Sequence, residues 1–347
     1  MVILIHNNNT DFSKRWIAYC KEKGLCYKIA NCCDSNIIQE LKTVDILLWH
    51  WQHGAYEEVK VARDIIRAAE MMGIKTFPST STCWTFDNKI AQKYILEAID
   101  APLIPTYVFF NKKDALDWLN HTSLPKVFKL ARGAGSRNVH LVRNVKAGEA
   151  FINRAFGRGF KAVSAGAMDA VKKIQHGTTP KTEIIGKIKR LPKTLMSIYR
   201  SNKFLGREKG YAYFQDFIPD NKFDIRITVI GNRAFGFTRN VRKDDFRASG
   251  SGSIDYSTDR IPQECLRTAF DVSKKLDTQS IAFDFLLDSS LRPLIGEISY
   301  AYLAQAIYNC LGFWDNDINW HEGHLWPQDA ILSDILQKVK KNQGEYD

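Results

Sequence analysis

The chain has 347 residues, of which 45% are hydrophobic, 12% aromatic and 25% charged, with a formal net charge of +11. This balance describes a globular protein and excludes an intrinsically disordered one, and the length suffices for two or three modest cores. No apolar run approaches the roughly 18 residues that span a bilayer, and MVILIH at the start lacks a basic flank, so it reads as a first strand and not as a signal segment.

Residues 1 to 75 alternate short aliphatic runs with amphipathic ones: VILIH, DFSKRWIAYCKEKG, CYKIA, SNIIQELK, DILLWHW and YEEVKVARDIIRAAEMMG. That βαβαβα order predicts a parallel sheet covered by helices, with ligands expected beyond the strand carboxyl ends, at Asn7 to Asn9 and His50 to His53. The first turn has no GxGxxG, which disfavours a nicotinamide or flavin dinucleotide. After FPSTSTCWT, Asp87 is expected to cap a helix running to about Ala98. A strand LIPTYVFF, a helix near 113 to 120, and a strand, Gly-rich loop and strand in PKVFKLARGAGSRNVHLV follow. From about 147 to 207 the pattern weakens into helical pieces broken by Gly and Pro. The last third returns to strands in YAYFQDFI and DIRITVIGNRAFGFTRNV, where Gly231 and Asn232 between two alternating runs predict a hairpin. A helix at about 263 to 276 and two further strands complete a mostly antiparallel sheet.

Those two strands, within IAFDFLLDSSLRPLIGEISYAY, each carry one carboxylate, Asp284 and Glu297, inside an apolar run. A buried carboxylate is costly without a cation or donors beside it, so something positive is expected there. Lys129 lies in a strand three residues before the Gly-rich loop RGAGSRN, where its ammonium and the glycine amides could meet phosphates. Arg226, Arg239 and Arg247 supply planar donors suited to phosphate or carboxylate; surface salt bridging is the competing role, with Arg226 beside Asp224 its best candidate.

Taken as an ordered series, these residues resemble the ATP-grasp superfamily, in particular its ribosomal-protein-glutamate-ligase-like branch. The series is Lys89 at a helix start, Lys129 before the Gly-rich loop, FQDFI at 214 to 218, DIR at 224, RN at 239, DFRASGSG at 245, DF at 284 and GEIS at 296. The resemblance covers roughly residues 75 to 310. It implies an α/β N-terminal domain followed by an α+β ATP-grasp fold, in which two α+β subdomains clasp ATP. The implied boundaries are 1–77 for the preceding domain, 78–207 for the small subdomain with a basic insert at about 157–207, and 208–347 for the large subdomain and C-terminal segment.

The resemblance also implies roles. Lys89 and Lys129 look like the phosphate-binding lysines, and Gly133, Ala134, Gly135 and Ser136 like part of the loop that covers the phosphates. Gln215, Asp216, Phe217 and Ile218 resemble the hinge that holds adenine, and Asp224 is placed for the ribose hydroxyls. Asp284 and Glu297 resemble the carboxylates that hold Mg²⁺ (or Mn²⁺). Hard oxygen ligands suit that ion, and two carboxylates nearly cancel one dication. Relatives generally carry Asn two residues after the second carboxylate; Ser299 stands there with a shorter, poorer ligand. Arg239, Arg247 and Lys129 are the catalytic candidates, with Asn240 and Ser249 lining the substrate pocket and His50 and Trp51 contacting the acceptor.

The implied activity is that of an ATP- and Mg-dependent ligase. It would activate a carboxylate as an acylphosphate for attack by an amine, releasing ADP and phosphate, on small-molecule or polymer-linked substrates. Two alternatives are a partly degenerate ATP-binding module without ligase chemistry and a basic nucleic-acid-binding protein. Positive charge concentrates in residues 151 to 210, which favours an anionic partner such as an acidic acceptor, but no stacking ladder or nucleic-acid-binding signature accompanies it. The seven cysteines are scattered and lack CxxC spacing, which argues against a disulfide framework or zinc site and fits a reduced cytoplasm. HEGH at 321 to 324 reads as a loop, and Trp314, Trp320 and Trp326 as packing residues.

Overall fold

The aliphatic run at the start forms β1 (Ile3–His6) and is buried throughout. With β2 (Tyr27–Ala30), β3 (Ile46–Leu48) and β4 (Lys75–Phe77) it makes a parallel sheet in the order β2-β1-β3-β4. The connecting helices are amphipathic. Asp11–Glu22, capped by Thr10, buries Phe12, Trp16 and Cys20 at four-residue spacing, and Tyr56–Met71 buries Val59, Ala62, Ile66 and Ala69. In this computed structural model the described residues are 1–133, 138–161, 206–241, 246–248 and 252–344. Among them no helix is long and apolar enough to cross a membrane.

A short helix Thr80–Cys83 leads to helix Lys89–Ala98. Its cap is not Asp87, as expected, but Asn88, whose Oδ1 accepts from Ala91 N. Asp87 takes φ 55° and uses its carboxylate elsewhere. A second sheet then forms from β5 (Thr106–Phe109), β6 (Lys126–Lys129) and β7 (His140–Val142), with helices Lys112–His121 and Val145–Phe156 on it. The two-residue strands β8 (Phe160–Lys161) and β9 (Arg207–Glu208) pair with each other, and β10 (Ala212–Asp216) enters the second sheet between β5 and β6, antiparallel to both. Most of the basic insert, residues 162 to 205, lies outside the described residues.

The third sheet starts with the expected hairpin, β11 (Phe223–Ile230) and β12 (Arg233–Asn240), turned at Gly231 with φ 58°. The short β13 (Ile254–Asp255) pairs β12; β14 (Ser280–Leu287) and β15 (Pro293–Ser299) extend the sheet beyond β11; β16 (Gly312–Trp314) and β17 (Trp320–Glu322) extend it beyond β12. Helix Gln263–Lys275 buries Cys265, Leu266, Ala269 and Val272 against this sheet, in a core joined by Leu96. Ile230, Phe235, Phe237 and Ala282 instead share a core with the first sheet and the last helix, Pro327–Gly344.

HEGH is not simply a loop, since Trp320–Glu322 is a strand. Its histidines diverge: His321 Nε2 lies 2.8 Å from Asp315 Oδ2, and His324 Nδ1 lies 2.7 Å from the Tyr308 carbonyl. Trp314 packs on Trp320 and Trp326 stacks on Tyr308.

Candidate functional site

Asp284 and Glu297 are direct cross-strand partners on β14 and β15. Simple alternation from Ile295, which pairs with Phe285 and lies in the core, would send Glu297 to the core face as well. The register shifts between Asp284 and Phe285, leaving Gly296 as the extra residue of a β-bulge. That extra residue turns Glu297 to the side of Asp284, while Ile298 opposite Phe283 remains buried. Both carboxylates line a cavity of 290 Å³.

The cation expected beside these acids is several cations. Lys89, 6% exposed at the start of its helix, places Nζ 2.9 Å from Glu297 Oε1 and also donates to the Gly133 carbonyl at 2.9 Å. Arg226 is the cross-strand partner of Asp284 and donates from Nε and Nη2 to its two oxygens at 2.6 and 2.8 Å. Arg239 is opposite Asp224, bonds both of its oxygens, and reaches Asp284 Oδ2 at 2.8 Å. Burial alone would raise the Asp284 carboxyl, but the two guanidiniums outweigh it and hold it well below the usual carboxylate range. Arg226 therefore pairs with Asp284, and the partner of Asp224 is Arg239.

Lys129 ends β6, opposite Tyr213 of β10, and its Nζ donates to Gln215 Oε1. Burial lowers the ammonium to about 8 against the pull of Glu297. Gln215 is itself buried and passes the network on, donating from Nε2 to Thr106 Oγ1 at 3.0 Å.

Of the residues singled out in the sequence, Lys89, Lys129, Gly133, Gln215, Asp216, Phe217, Ile218, Asp224, Arg247, Asp284 and Glu297 line this one cavity. Arg239 and Arg226 stand behind it, bonded to its carboxylates. Ser299 does not line it: its Oγ donates to the Ala301 carbonyl at 3.0 Å. Asn240 bonds Ser253 Oγ. His50 and Trp51, expected to contact an acceptor, are core residues. His50 stacks on Phe12 with centroids 3.6 Å apart, burial lowers its ring to about 3, and the Trp51 backbone is bonded to the Tyr300 hydroxyl. Ala134, Gly135, Ser136 and Ser249 lie outside the described residues.

Sequence reasoning missed the apolar walls, Ile104, Val127, Phe246 and Leu286, which with Phe217 offer a slot for a flat ring. Strand alternation offered a signal for Val127, two residues before Lys129, but which sheet would cover it was not readable. The lining is chemically mixed: Ile104, Val127, Phe217, Phe246 and Leu286 are apolar, whereas Lys89, Lys129, Asp284 and Glu297 are charged. Such a cleft can take a ligand that combines a planar base with a polyanion.

No family model and no curated protein matches the sequence significantly. Solved structures do match the fold. The RimK-domain ATP-grasp protein of Sphaerobacter thermophilus is 12% identical, with 96% of this chain and 99% of that chain covered and a TM-score of 0.55. D-alanine–D-alanine ligase of Bacillus anthracis is 13% identical over 100% of both chains, with a TM-score of 0.56. The ATP-grasp ligase PsnB, in complex with a minimal precursor, Mg and ADP, is 8% identical over 89% of this chain and 92% of that one, with a TM-score of 0.52.

Proposed function

From the premise that this chain has the ATP-grasp fold, we propose that it is an ATP-dependent carboxylate–amine ligase. The observation that carries the reading is the opposition of Asp284 and Glu297 on one wall of the cavity that Lys89 and Lys129 also line. In this reading the base lies against Phe217, Val127 and Leu286, and the phosphates run toward Lys89 and Lys129. Asp224 serves the ribose.

The residues present fit Mg²⁺. The two opposed carboxylates are hard oxygen donors of the kind that ion takes. An ion held by one or two carboxylates and completed by substrate phosphates and water is the usual magnesium arrangement. Bound there, it would neutralise charge on the phosphate oxygens. Asp284 and Glu297 would hold it. Arg226 and Arg239 keep Asp284 ionised for that task.

The reaction then proceeds as follows. A substrate carboxylate oxygen attacks the γ-phosphorus, the bond to the bridging oxygen breaks, and ADP leaves with that electron pair. In this reading Lys89, Lys129 and Arg247, which line the cavity, are the fixed donors that stabilise the charge spread over the phosphoryl oxygens. An amine attacks the acyl carbon, loses a proton, and phosphate leaves with the oxygen that came from the acid.

That oxygen is the test. With a pool of ¹⁸O-labelled amino and peptide acids, Mg²⁺ and ATP, label is expected in the released phosphate; turnover that leaves it unlabelled would remove the acylphosphate. A second reading, a nucleotide-binding module without ligase chemistry, is favoured by Ser299, whose hydroxyl is engaged by Ala301. It predicts Mg-dependent ATP binding with no turnover on any pool.

A further inference from the structure

Resting on the nucleotide reading above, we infer that His53 is a positioning residue for the terminal-phosphate end of the cleft, acting through Asp87 and the Gly133 peptide on Lys89. None of these links is visible as a motif. His53 belongs to the segment after β3, in the first sheet, whereas Gly133 and Lys89 border the cavity.

The Gly133 peptide is held from both sides. Its N–H donates to Asp87 Oδ1 at 2.7 Å, and its carbonyl accepts from Lys89 Nζ at 2.9 Å. The same Nζ lies 2.9 Å from Glu297 Oε1. The direction in which the Gly133 carbonyl points therefore sets where the Lys89 ammonium rests between a peptide oxygen and a carboxylate expected to hold metal. Gly133 has φ 117°, a conformation that side-chain-bearing residues rarely adopt, so this peptide orientation depends on glycine and on the groups that hold it.

Asp87 is the anchor, and it is an expensive one. It holds a left-handed backbone at φ 55° with a side chain 6% exposed. One neutral amide is little compensation for a buried carboxylate. The second group beside it is His53, whose Nε2 lies 3.5 Å from the same Oδ1. The His53 ring is positioned in turn, 4.5 Å from Phe86, and Phe86 packs edge-on against Trp51 and Tyr300. Burial favours the neutral ring; in the tautomer with its proton on Nε2, it would present Asp87 with an N–H at a 3.5 Å approach, which a glutamine amide can imitate. Removing it leaves the carboxylate, among the described residues, with the Gly133 amide alone and lets Asp87, Gly133 and Lys89 rearrange together.

Calorimetric titration of the full chain with Mg²⁺ and either adenosine or a non-hydrolysable triphosphate analogue separates the ends of the cleft. His53→Ala is expected to weaken the triphosphate by about fivefold, as for an indirect loss of one charge-assisted contact, and to leave adenosine unchanged. His53→Gln should restore wild-type affinity. Because His53 is 26% exposed, both variants are expected to fold, which their melting temperatures check. Unchanged triphosphate binding in His53→Ala, equal weakening of adenosine, or no rescue by Gln would each overturn the inference while wild-type binding upholds the nucleotide reading. Failure of the wild type to bind either probe would overturn both.

Discussion

In the proposed phosphate-binding role, Lys129 would serve a ligand at the expense of the free protein. Its ammonium is lowered to about 8 by burial, whereas an unfolded chain would hold that proton to roughly 10.4. Below both values the charged group is a net cost to folding. Between them the unfolded chain binds more protons, so wild-type stability rises with pH. Lys129→Met is therefore expected to be more stable than wild type at neutral pH by about 2 kcal/mol, discounting the full shift for the half-open site, with the difference fading through that window. Denaturant titrations at pH 7 and 10 check it. The same variant should lose most of its affinity for Mg-ATP, and wild-type affinity should fall as pH rises past about 8, where the free site begins to lose its charge.

Among the elements, the pair β14 and β15 carries both carboxylates of the proposed metal site, and its register decides which way they face. Gly296 is the extra residue that lets Glu297 face Asp284 while Ile295 and Ile298 stay in the core. Deleting Gly296 should remove the bulge without reversing the face: Glu297 then follows Ile295 directly and still pairs with Asp284, while Ile298 stays opposite Phe283. The expected outcome is retained Mg-dependent nucleotide binding. Gly296→Ala tests the cause: an added Cβ would lie 3.4 Å from the Asp284 carbonyl, ordinary contact, so that variant should keep the bulge and bind. Loss of binding by a folded deletion variant would show that pairing opposite Asp284 does not by itself place Glu297.

Across the whole molecule, the first sheet is not packed alone. Trp16 donates to the Gln328 carbonyl at 3.0 Å, and Arg15 grips Asp329 through Nε and Nη2 at 2.8 and 2.6 Å. Ile331, Leu332 and Ile335 of the last helix, with Phe235 and Phe237 of the third sheet, belong to the same core as β1 and β3. A fragment ending near residue 78 would expose this shared surface and is expected not to unfold cooperatively. Removing residues 325 to 347 from the full chain should likewise uncover Phe12 and Trp16, detectable as dye binding and a broadened thermal transition. Sharp two-state unfolding of the short fragment would contradict this. The arrangement also explains how His53, on the first sheet, comes to lie beside Asp87 and the cleft.

What the linear order of residues determined was whatever depends on near neighbours. The period-two and period-3.6 patterns marked β1 to β3, both long helices of the first unit and the β11–β12 hairpin, because those faces repeat within a few residues. That Lys89, Lys129, Asp284 and Glu297 share one cleft was expected only through the resemblance of their ordered series to the ATP-grasp superfamily. β4 escaped notice because Lys75–Phe77 has no aliphatic run like the Ile46–Leu48 of the equally short β3. His50 and Trp51 were misread because a strand-end position looks the same whether a ligand or a third sheet covers it; here Phe12 and Tyr300 do. The partners of Asp224 and Asp284, the turning of Ser299 toward Ala301 and the approach of His53 to Asp87 were decided only by tertiary structure. Each depends on which strands are neighbours and in what register, and one inserted residue is enough to reverse a face.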